Sequence, residues 1–153
     1  MKTLVTALLL AMAACALAQE KPALRIVMEG LGQEAAACGL GAPAIEAVAT
    51  RTLKSHGVAV GRDAKAPYLY VNVNAYRVLQ GSTVVGCTTR VGVSVRSMAP
   101  ADGALRGFRP KAEPYLVVCE AGRLLSGAKH EMTAAVMRGF EQDIKLCLGQ
   151  LSY

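Results

Sequence analysis

The sequence has no tryptophan, two phenylalanines and two histidines. It contains no Cys-x-x-Cys pair, Gly-x-Ser-x-Gly, His-Glu-x-x-His, P-loop or dinucleotide fingerprint. These absences remove the signatures of dithiol oxidoreductases, serine hydrolases, zinc proteases and nucleotide enzymes. The cysteines are widely spaced and no histidine lies near them in sequence, so no metal or other cofactor is expected. Lysines and arginines are scattered, and the net charge is only +6. That distribution argues against a nucleic-acid partner; a modest basic excess suits an anionic partner, such as an anionic lipid or membrane surface. Internal repeats and low-complexity segments are absent. After the amino-terminal segment, no apolar run is long enough to span a bilayer.

That segment reads MKTLVTALLLAMAACALAQE. Lys2 supplies a positive start, Leu4 to Leu17 is apolar, and Ala16-Leu17-Ala18 offers a small-x-small cleavage site. Residues 1–18 are therefore expected to be a secretory signal, leaving 19–153 as one domain. The expected location is periplasmic or secreted. Met12-Ala13-Ala14-Cys15 is a rival processing site, at which lipidation of Cys15 would anchor the chain to a membrane. Met12 replaces the leucine usual there, so release after Ala18 is the expectation.

Four cysteines then remain: Cys38, Cys87, Cys119 and Cys147. An even count in an exported chain argues for two disulfides. Residues 24–29, LRIVME, read as a short strand. Gly30 to Gly41 reads as a Gly/Ala loop holding Cys38. Residues 42–57 read as a helix, with Ile45, Val48, Ala49, Thr52 and Leu53 on one stripe, Pro43 in the first turn and Gly57 at the stop. Three strands follow, at 68–79, 84–97 and 114–121, and a helix over 129–151 closes the chain. Its stripe is Met132, Ala135, Val136, Gly139, Phe140, Ile144, Cys147, Leu148 and Leu151. The expected fold class is α+β: a two-layer sandwich of order β-α-β-β-β-α, with two helices on one face of a mostly antiparallel sheet.

Alternation tests the strand pairing. A turn centred on Gly81 sets Val73 opposite Thr89, Val71 opposite Val91, Leu69 opposite Val93, and Tyr70 opposite Gly92. A hairpin folded about Gly103 sets Cys87 opposite Cys119 and Val91 opposite Tyr115. Both registers put odd-numbered residues on one face. They predict a Cys87–Cys119 bridge and, by elimination, Cys38–Cys147.

The even-numbered face is left uncovered. It carries Tyr68, Tyr70, Asn72, Asn74 and Tyr76, with Thr88, Arg90, Ser94 and Arg96 from the next strand. Such residues are ordinary on a solvated face, yet tyrosine and arginine are also the types enriched at interface centres. Tyr68, Tyr70, Asn72, Tyr76, Arg90 and Arg96 are the first candidate binding set. The second is Arg106, Phe108 and Arg109 in the long 98–113 connection, where cations flank an aromatic. His56 reads as a helix C-terminal cation; His130 stands beside Glu131 with no evident third partner, so no catalytic residue is assigned.

In element order, the chain resembles small bacterial periplasmic domains: the lipopolysaccharide-assembly lipoprotein LptE, CsgG-like domains of curli secretion and the N-terminal domain of TolB. The resemblance spans nearly all of the exported chain, and it carries over no residue motif. It implies a binding or assembly accessory of the cell envelope, with another envelope protein or a second copy as partner. The alternative is a small secreted enzyme or enzyme inhibitor acting through the 98–113 loop.

Overall fold

A computed structural model describes residues 23–98 and 115–151. The expected amino-terminal signal, Cys15 and the candidate set Arg106, Phe108 and Arg109 lie outside the described residues. The elements are β1 (Arg25–Glu29), α1 (Gln33–Ala37), α2 (Ala42–Ser55), β2 (Tyr68–Gln80), β3 (Thr83–Met98), β4 (Tyr115–Ala128) and α3 (Lys129–Gly149). The expected α+β sandwich forms, with one addition. The segment read as a Gly/Ala loop holds α1, whose Gln-Glu-Ala-Ala-Ala sequence is made of good helix formers.

The sheet runs β1-β2-β3-β4, with β1 parallel to β2 and the remaining pairs antiparallel. Odd-numbered strand residues Leu69, Val71, Val73, Val91, Val93 and Val95 are buried. They meet Ile45, Ala49 and Leu53 of α2 and Met132, Val136, Phe140 and Ile144 of α3 in one core. The two periodicities, 2 along the strands and 3.6 along the helices, therefore close on each other.

Both predicted registers are corrected. Val73 pairs with Val91 rather than Thr89, and Tyr70 faces Ser94 rather than Gly92. The hairpin closes at Gln80 and Thr83 around Gly81, whose φ is +62°, and the register slips once more between Val78 and Leu79. This tighter turn and the bulge together move β3 by two residues against β2. The second hairpin differs by more. Cys87 pairs with Gly127, and Cys119 pairs with Val95. β4 does not stop at Ala121 but runs on to Ala128, straight into α3. Both shifts are even, so the face assignment survives them.

The cysteine pairing does not survive. Cys38 bonds Cys87, with Cα atoms 6.0 Å apart, and Cys119 bonds Cys147, with Cα atoms 5.4 Å apart. Cys87 and Cys119 do lie on the buried face, but each reaches up to a helical layer and not sideways to the other. One bond ties β3 to the end of α1; the other ties β4 to α3. In the chain-entropy model, rings of these lengths stabilise by about 3.5–4 kcal/mol each. Two disulfides point to an oxidising, non-cytoplasmic compartment.

Local signals explain the joints. Gly57 has φ +70°, and Val58 N–H donates to the Leu53 carbonyl, ending α2 in a Schellman turn. His56 caps that same end, its Nδ1 lying 2.9 Å from the Thr52 carbonyl oxygen. After β1, Gly30 has φ +84°, and a Cβ there would stand 2.2 Å from the Val73 carbonyl oxygen, so only glycine fits. Arg77 on β2 grips Glu34 of α1 through two hydrogen bonds of 2.6 and 2.7 Å.

Candidate functional site: the uncovered sheet face

Even-numbered residues of β2, β3 and most of β4 share the face away from the helices, as do Arg25, Val27 and Glu29 of β1. Pairing arranges them in rows across the strands. One row is Arg25, Tyr68 and Arg96; the next is Val27, Tyr70, Ser94 and Glu120. Then come Glu29, Asn72, Gly92 and Gly122, followed by Asn74, Arg90 and Leu124. Tyr76, Thr88 and Ser126 form the last polar row, with the two hydroxyls 3.0 Å apart.

The tyrosines are held by cations. The Arg25 guanidinium carbon lies 5.4 Å from the Tyr68 ring centroid, and that of Arg96 lies 3.6 Å from the Tyr70 centroid. Arg96 leans one row along the sheet to do this, and its Nε donates to Ser94 Oγ at 2.8 Å. Ser94 is consequently only 2% exposed, although it sits on the uncovered face. Stacking over an aromatic ring and a hydrogen bond together fix the guanidinium plane. Asn74 donates to the Asn72 side-chain oxygen, which orients that amide.

Beside this cluster the surface drops. Gly92 and Gly122 are cross-strand partners, and a Cβ on Gly92 would meet nothing within 4 Å. The result is a cleft of about 240 Å³ floored by Gly92 and walled by Tyr70, Asn72, Arg90, Arg96 and Glu120. A second recess, toward β4, shares Arg90, Gly92 and Glu120 with it and reaches Leu124. Among the described residues, neither Arg90 nor Glu120 is in an ion pair. The cleft thus offers guanidinium donors, an amide, one carboxylate and bare backbone.

Of the sequence candidates, Tyr70, Asn72, Arg90 and Arg96 meet at this cleft. Tyr68 lies one row away, and Tyr76 stands apart, exposed, near the hairpin end. Sequence reasoning missed Arg25, Glu120, Gly122 and Leu124. Their signal was the same parity rule, applied to β1 and to a β4 extended past Ala121.

Elsewhere the ionisable groups read as structural. Hydrogen bonding to Arg77 lowers the Glu34 carboxyl below its usual range, and hydrogen bonding to Lys145 does the same for Glu141. Hydrogen bonding to Asp143 raises Arg123. His130 Nε2 lies 3.7 Å from Glu131 on an exposed helix start. Among the described residues, no group of three His, Cys, Asp or Glu side chains is placed to hold a metal. Nor is any helix among them long and apolar enough to cross a membrane. Comparison with protein-family models and with curated proteins returned no match to this chain.

Proposed function

We propose that the protein is an exported cell-envelope binding or assembly accessory, acting through the uncovered sheet face on another envelope protein. The periplasm is the proposed compartment, in keeping with the amino-terminal signal and two disulfides. One observation carries the reading. Tyr70, Arg96 and Ser94 are locked together beside a glycine-floored cleft on a face the core does not use. Rigid aromatic and arginine side chains around a recess are the usual composition of an interface centre. A merely solvated face gains nothing from burying a serine under a stacked guanidinium.

The test is a pull-down from envelope extract with tagged exported protein, run beside a Tyr70→Ala, Arg90→Ala double variant. A protein captured by the wild type and lost with the variant, at unchanged melting temperature, supports the reading. Equal capture by both overturns it. So does capture abolished by Arg109→Glu alone, which places the contact in the 98–113 connection.

A further inference from the structure

We infer that β4 pairs antiparallel with β4 of a second copy, about a two-fold axis at Gly122. The interface uses the edge of the sheet, and it stands whether or not the face binds another protein.

β4 is the terminal strand, and among the described residues no strand lies beyond it. It is 14 residues long, where β1, the other terminal strand, has five. A strand edge presents a row of backbone donors and acceptors that template another strand. Natural edges are usually shortened, charged or covered. β4 is long, and its side chains Leu116, Val117, Val118 and Leu124 are exposed, the last to 68%. The only interruption is a register slip between Val95 and Arg96, which leaves Val118 without a partner on β3. The unbroken ladder runs from Cys119 to Ala128, and an axis at Gly122 keeps residues 119–125 of each copy paired within it.

The chemistry of that span is self-complementary. An antiparallel two-fold contact sets residue i of one copy opposite residue j of the other, and the reverse. About Gly122, Leu124 lies opposite Glu120 of the second copy. In each copy Leu124 shares its row with Arg90. The row across the interface is then Arg90, Leu124 and the second copy's Glu120, and it occurs twice. Two strand spacings, about 10 Å, separate the arginine and carboxylate backbones, within the combined reach of the two side chains. Arg90 and Glu120 have no ion pair among the described residues, and the contact supplies one to each. Glycine on glycine at the axis leaves no side chain on the uncovered face to obstruct the approach.

The helical layer agrees. Gln142 of α3 accepts a hydrogen bond from Arg123 of β4, so that flank of the helix lies over the edge strand. Leu146 is one turn on along the same flank and is 59% exposed. The two-fold axis turns this flank of each copy toward the same flank of the other, above the paired strands. A heterologous strand could satisfy the backbone edge, but it has no reason to set a carboxylate opposite Leu124 and an apolar residue opposite Glu120 at once.

Sedimentation velocity on the oxidised protein, from about 1 to 100 µM, tests the contact through variants at its charged and apolar positions. The wild type should be a concentration-dependent dimer. Leu124→Lys, Glu120→Arg and Arg90→Glu should each weaken it at least about tenfold while leaving the thermal melt in place, since all three residues are exposed. The Glu120→Arg, Arg90→Glu double variant should regain most of the lost affinity, because the pair is restored across the axis. A monomer at every concentration overturns the inference and leaves the edge to another chain. A dimer indifferent to Leu124→Lys, or one not rescued by the double charge swap, overturns it too.

Discussion

Arg123 on β4 closes on Asp143 of α3 with two nitrogens, and the carboxylate is 2% exposed. The arginine passes beneath Gly139, where a Cβ would stand 2.7 Å from its Cδ. Asp143 therefore sits within the apolar stripe of α3, and the helix lies flush only because residue 139 has no side chain.

Removing one partner of this pair strands a buried charge. Arg123→Met should destabilise by about 2–4 kcal/mol, somewhat less than for a fully dry pair because Arg123 itself is partly exposed. Arg123→Met with Asp143→Leu should recover most of that loss. Urea denaturation of the three chains, compared at fixed m-value, checks it.

The disulfide connectivity gives a direct chemical prediction. Non-reducing digestion and mass spectrometry should yield Cys38–Cys87 and Cys119–Cys147 peptides. Replacing either pair by serines should cost about 2–4 kcal/mol in unfolding free energy.

Tyr70 and Val71 are adjacent but face opposite ways. Val71→Ala opens a cavity in the core and should cost about 1–3 kcal/mol. Tyr70→Ala removes a ring stacked under Arg96 and should cost folding about 1 kcal/mol or less. On the proposed function, its main effect should fall on capture of a partner. Thermal melts and partner titrations on both variants separate the two faces.

Acid should loosen the α1 end first. The Glu34 carboxyl is depressed mainly by its hydrogen bond to Arg77. A depressed acid contributes stability that is present above its unfolded pKa and lost as pH falls through the folded value. Protection from hydrogen exchange across α1, measured against the intrinsic rate at each pH, should therefore fall as pH drops below the ordinary carboxylate range in wild type. In Glu34→Gln that protection should already be lower at neutral pH, with a flatter response to acid.

Element order and strand faces were legible in the sequence because both rest on periodicity. Parity is unchanged by a shift of two or of eight residues, so two wrong registers still gave the right buried face. Register itself depends on turn length and bulges, and neither Gly81 nor Val118 announces these in composition. The cysteine pairing was built on register and fell with it. Gly122-Arg123 interrupts the apolar pattern of β4, which hides its continuation past Ala121. Arg123 is in fact an inward-facing odd residue, tolerated because Asp143 meets it. An acid inside an otherwise apolar helical stripe was the available clue. At the candidate site, the tyrosines were visible as a run on one strand. The cleft was not, since it requires Gly92 and Gly122 to be neighbours on different strands.

Among the described residues, the two disulfides join the first cysteine to the second and the third to the fourth. In a chain that crosses a membrane amino end first, each cysteine meets its native partner as the next one to emerge. An oxidant acting on thiols in order of arrival makes only correct bonds. The nested pairing would have forced Cys38 to wait unbonded until the whole chain was across, with two wrong partners passing before it. On the proposed export route, this connectivity lets oxidation keep pace with translocation without reshuffling of bonds.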